Sequence, residues 1–135
     1  MALLAGRLRA ADAPGLPANG GFEAVDAAGA PAAWTLTDRI SAVVAEGVAE
    51  GRRALRIADG GAEVGSDVRS EHFAGVGGGQ VSLVLRTFLE SGEADGLGLY
   101  LRFWDAAGKE LAEARESQIA RPVMTAGAWG EATAS

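Results

Sequence analysis

The sequence predicts an all-β fold, a β-sandwich of two antiparallel sheets, from three observations. Turn-forming clusters recur at close intervals, two segments alternate with a period of two, and little uninterrupted chain is left for helices. The turn clusters are Asp26-Ala-Ala-Gly-Ala-Pro31, Glu46-Gly47, Glu50-Gly51, Asp59-Gly-Gly61, Gly75-Val-Gly-Gly-Gly79, Ser91-Gly92, Asp95-Gly96 and Asp105-Ala-Ala-Gly108. With 135 residues, 48% of them hydrophobic, there is material for one core and hence one domain.

Residues 1–17 are Ala-rich, carry Pro14 and Pro17, and read as a weakly packing leader or linker, with the domain over 18–135. The apolar run after Met1 is short and is interrupted by Arg7 and Arg9, so no secretory core forms within it as written. No run has the length needed to span a bilayer.

Weak strand patterns follow at 34–37, 40–45, 54–58 (Leu55 and Ile57 inward) and 64–70. Two stronger ones come next. In the segment 81–89, Val81, Leu83 and Leu85 share the expected core side, with Ser82, Val84, Arg86 and Phe88 opposite. In 97–104, Leu97, Leu99, Leu101 and Phe103 form an apolar side, with Tyr100, Arg102 and Trp104 opposite. Residues 106–120 are rich in helix formers, and Lys109 and Glu113 stand at an i,i+4 spacing. Asp105-Ala-Ala-Gly108 nevertheless reads as a hairpin turn after a strongly alternating strand, so a strand is expected at about 109–116.

The net charge of −6 leaves no basic field for nucleic acid or anionic lipid, and neither is expected as a partner. Without Cys there are no disulfides, thiolate metal sites or thiol nucleophiles. The single histidine, His72, reads as a surface or strand-edge residue, because no Gly-x-Ser-x-Gly elbow and no second histidine accompany it. Gly75-Val-Gly-Gly-Gly-Gln80 has Gln where a phosphate loop has its last Gly, and a strand follows where a helix is needed; it reads as a turn. Carboxylates such as Glu46, Glu50, Glu110, Glu113 and Glu116 read as solvated faces and turns. No acid, base and nucleophile set can be named, so no enzyme is expected.

The aromatics point to recognition, since Trp and Tyr stack on the C–H faces of sugar rings while polar neighbours bond the hydroxyls. Tyr100, Arg102 and Trp104, with Arg86 on the neighbouring strand, are the candidate platform; the competing reading is that these aromatics pack the sheet beneath a loop or another strand. Trp34 reads as a core or loop-anchoring residue.

The order Asn19-Gly-Gly-Phe-Glu23, Gly29-Ala-Pro-Ala-Ala-Trp34, Gly51-Arg-Arg-Ala-Leu-Arg-Ile57, Phe103-Trp-Asp-Ala-Ala-Gly-Lys-Glu-Leu111 and Trp129 resembles the galactose-binding-like jelly rolls. Within them it is most similar to CenC-like carbohydrate-binding modules of bacterial polysaccharide-degrading enzymes. The resemblance implies a jelly roll from residue 18 onward, lacking its last strands at the C-terminus, and an extracellular or periplasmic location. It implies a non-catalytic module that binds polysaccharide, or alternatively a structural or protein-interaction sandwich of a larger extracellular protein with no sugar ligand. It also implies a structural calcium ion held by Gly21 and Glu23, with Glu50 or the carbonyl of Arg53 as further ligands and without the family's Asp from a last strand. Uncovered sheet edges would then favour a homodimer.

Overall fold

The computed structural model describes residues 2–5, 17–60, 65–75, 83–111 and 118–134. Among them are nine strands and no helix: β1 (Ala2–Ala5), β2 (Trp34–Leu36), β3 (Ala42–Val44), β4 (Ala54–Ile57), β5 (Val68–Ser70), β6 (Leu83–Leu89), β7 (Leu99–Tyr100), β8 (Gln118–Ala120) and β9 (Trp129–Ala134). All strand pairs are antiparallel, in a five-stranded sheet of order β3-β4-β1-β6-β9 and two ribbons, β2-β5 and β7-β8. The all-β expectation holds, and the layering is consistent with a sandwich.

The core follows from strand register. Val43 stands opposite Leu55 on β4, and Leu85 lies on β6 two positions from Thr87, which pairs with Gly130. On this face Leu55 is fully buried and, with Phe22, packs against Val43, Ile57 and Leu85 from the large sheet and Trp34, Leu36 and Val68 from the β2-β5 ribbon. A ribbon thus covers the large sheet. The face expected from the period-two pattern of β6 is the one that is filled, with Val81 and Ser82 lying outside the described residues. Its other face is not simply solvated: Phe88, opposite Trp129, packs with Ala54, Val44, Val48 and Ala49, and the Trp129 indole donates to Gly47 O at 3.2 Å.

Ala2–Ala5 departs from the expectation of a loosely packed leader. It is the middle strand of the large sheet, paired with β4 on one side and β6 on the other. The Ala-rich composition conceals this, because a short run between two partners takes its conformation from the ladder rather than from its own propensity.

The Asn19–Glu23 motif is a structural hub. Asn19, at φ 53, donates through Nδ2 to Ala24 O (2.8 Å) and Ala32 O (2.9 Å) and accepts from the Ala24 N–H (2.9 Å). Asn tolerates that left-handed conformation better than other non-glycine residues do. Phe22 then enters the core against Trp34, ring centroids 5.1 Å apart, while the Trp34 indole donates to Ala18 O. Trp34 therefore serves both core and anchor.

Two hairpins repeat one design. Asp26-Ala-Ala-Gly29-Ala30 and Asp105-Ala-Ala-Gly108-Lys109 each close with an Asp N–H to the carbonyl four residues on (2.9 Å in both), and each ends on a left-handed Gly, at φ 83 and 78. In both, Asp Oδ1 accepts from the N–H groups two and four residues later. Bridges Val25–Pro31 and Trp104–Glu110 flank them. The turn inferred at 105–108 is therefore a hairpin, as expected, and residues 112–116 of the expected strand lie outside the described residues.

Candidate functional site

The second hairpin carries the exposed aromatics. Alternation holds at first: Leu99 is buried and Tyr100 is 59% exposed. β7 ends at Tyr100, so the pattern fails at Phe103, which is 46% exposed instead of facing the core. The reason is geometric, since strand pairing with β8 shifts register between Leu99 and Tyr100, and pairing resumes only at the Trp104–Glu110 bridge.

Trp104 meets a residue that the strand pattern did not connect with it. The His72 imidazole, just beyond β5, stacks on the Trp104 indole with ring centroids 4.0 Å apart and planes at 28°. Both remain at the surface, Trp104 at 36% exposure. Around the stack, Arg102 Nη1 lies 3.8 Å from Glu110 Oε1, and Arg69 pairs with Asp67, its Nε donating at 2.6 Å. The Asp67 hydrogen bond and charge hold Arg69 still more firmly protonated, with Glu110 adding to the field. The result is an indole and an imidazole overlapping face to face at the surface, with the Arg102–Glu110 pair on the hairpin of Trp104.

Tyr100 lies on the same hairpin, its ring folded over Gly98: a Cβ there would meet Tyr100 Cε2 at 2.8 Å. Arg86 does not belong with this group. It lies on β6 opposite Glu131 of β9, in the large sheet, whereas β7 belongs to the β7-β8 ribbon. The expectation that Arg86 flanks Tyr100 from a neighbouring strand is corrected, because β6 is bordered by β1 and β9. His72 and Glu110 take its place beside Trp104, with Arg69 within the field of Glu110. Sequence gives no sign of the stack, since 32 positions, with β6 and β7 among them, separate its partners and strand alternation does not say which segments meet.

The expected metal residues assemble differently. Glu23 Oε1 accepts from the N–H of Arg52 (2.8 Å) and of Arg53 (3.3 Å), Oε2 lies 3.6 Å from Arg52 Nε, and the Arg53 guanidinium donates to Glu23 O. The Arg52 N–H holds the Glu23 carboxyl below its ordinary range, with burial opposing and the Arg53 N–H and both arginine charges assisting. Gly21 lies in the preceding turn and Glu50 is exposed beside Gly51. Oε2 is buried with no hydrogen-bond donor, which is the one feature favouring a cation, yet the neighbouring donors and guanidinium groups present positive charge to these oxygens. This donor set does not fit calcium. Among the described residues there is no group of three or more His, Cys, Asp or Glu side chains placed to hold a metal.

No protein-family model, curated protein or solved structure matches this chain. Among the described residues no helix is long and apolar enough to cross a membrane.

Proposed function

We propose that the chain is a non-catalytic glycan-recognition module with a galactose-binding-like jelly-roll topology, and that its binding surface is the Trp104–His72 pair with Tyr100, Arg102, Glu110 and Arg69. The observation that carries this reading is the exposed stack itself: large aromatic rings usually bury, and the ring surface that the Trp104–His72 stack leaves open, beside the Arg102–Glu110 pair, suits stacking by a pyranose ring. The Arg102–Glu110 pair offers both hydrogen-bond polarities within reach of one sugar's hydroxyl groups. A polysaccharide ligand goes with a chain that acts outside the cytoplasm. Recognition here is stacking plus hydrogen bonding, with no bond made or broken.

Affinity electrophoresis through gels cast with a panel of soluble polysaccharides tests it. Retardation by at least one polymer, lost in Trp104→Ala while circular dichroism is unchanged, is the expected result. Unretarded migration in every gel sinks the reading.

A second reading has its own observation. β9 pairs with β6 on one side and, among the described residues, with no strand on the other. Beside it Gly130 and Ala132 leave a groove of about 270 Å³ lined also by Thr87, Ala120 and Pro122. An open edge of this kind supports an interaction module that pairs with a second copy. Light scattering that shows a dimer, and a monomer once Ala132→Pro blocks the ladder, favours this alternative; a monomeric wild type removes it.

A further inference from the structure

We propose that the turn Gly51–Arg53 is an anion-binding cradle whose ligand is the Glu23 carboxylate of the same chain, with Arg52 and Arg53 balancing its charge where a structural metal would otherwise do so. Gly51, at φ 74, turns the next two N–H groups to one side, and both converge on Glu23 Oε1. The contact is close: a Cβ on Gly51 would stand 2.1 Å from Oε1, so only glycine leaves room for the carboxylate. Arg52 approaches the second oxygen, and Arg53 reaches past the carboxylate to the Glu23 main-chain oxygen. Among the described residues, the groups that bond Glu23 Oε1 and its main-chain oxygen are all donors, and Oε2, which accepts no hydrogen bond, faces the Arg52 charge.

A hard cation at this carboxylate would compete for the lone pairs of Oε1 and would face two N–H dipoles and two guanidinium charges. The cradle selects a carboxylate. Its position gives the contact a role, because Ala54 and Leu55, both fully buried, begin β4 directly after Arg53. The latch fastens the segment after Asn19 to the start of β4.

Thermal unfolding of the full chain tests this. With millimolar calcium or with excess EDTA, the wild-type midpoint is expected to stay within about 1 °C. Glu23→Ala should lower Tm by roughly 5 °C or more, and sodium formate should restore part of that loss where sodium chloride of equal ionic strength does not. Glu23→Gln keeps an acceptor oxygen and should fall between wild type and Glu23→Ala. If Glu23→Ala does not fold, Glu23→Gln is read alone, and a midpoint equal to that of wild type overturns the proposal. An increase of wild-type Tm with calcium and a decrease with EDTA, or a Glu23→Ala variant as stable as wild type, overturns the proposal.

Discussion

Asn19 shows how much a single side chain can organise: its amide bonds the carbonyls of Ala24 and Ala32 and the N–H of Ala24, fixing the loop that carries Phe22 into the core. Asn19→Ala removes all three bonds and places alanine at positive φ, so urea unfolding should show a loss of about 2–4 kcal/mol. Asn19→Asp, which keeps the acceptor and loses the donor, should fall in between. Asp38 is a second such centre. Burial pushes its carboxyl up, but the Ser41 N–H and hydroxyl, the Ile40 N–H and the Ser66 hydroxyl outweigh that and bring it from 3.8 to about 2. A carboxyl depressed in the folded state stabilises at pH values above its unfolded-state pKa, and the contribution disappears as pH falls from about 4 toward 2. Asp38→Asn should therefore be clearly less stable than wild type at pH 6, and the gap should shrink across that acid window in chemical unfolding followed by circular dichroism. A gap that is constant with pH would remove the carboxylate from this role.

The two Asp-Ala-Ala-Gly hairpins close with the same main-chain bond. Because both copies use one bonding pattern, Asp26→Ala and Asp105→Ala should each lose the same Oδ1 bonds and cost about 1–2 kcal/mol, measured by urea unfolding. Their functional consequences should differ. Only Asp105 sets the strand stub that carries Trp104, so on the proposed reading only Asp105→Ala should also weaken glycan binding. These turns were legible in the sequence because Asp and Gly at fixed offsets dictate local backbone geometry, with little help from the rest of the chain. The β6 face was legible for a similar reason: one strand's alternation needs only a core on one side. Ala2–Ala5 and Phe103 were not. The first is a strand only because β4 and β6 flank it, and the second turns outward only because β7 stops early.

For the whole molecule, what sequence cannot convey is which strands become neighbours. Arg86 and Trp104 both stand on the polar side of an alternating segment, yet one lies in the five-stranded sheet and the other on a hairpin beyond a separate ribbon. His72 and Trp104 show the converse, coming together from distant segments through a contact that neither segment announces. The proposed function thus rests on a surface that tertiary assembly creates from residues of which half were visible beforehand. Isothermal titration calorimetry with the polysaccharide that most retards the wild type, comparing wild type, Trp104→Ala and Arg86→Ala, tests it most directly. Trp104→Ala should weaken binding by roughly fivefold or more, as expected when a stacking contact of about 1–3 kcal/mol is removed, and Arg86→Ala should bind like wild type. Equal loss in both variants, or binding that Trp104→Ala leaves untouched, would contradict it.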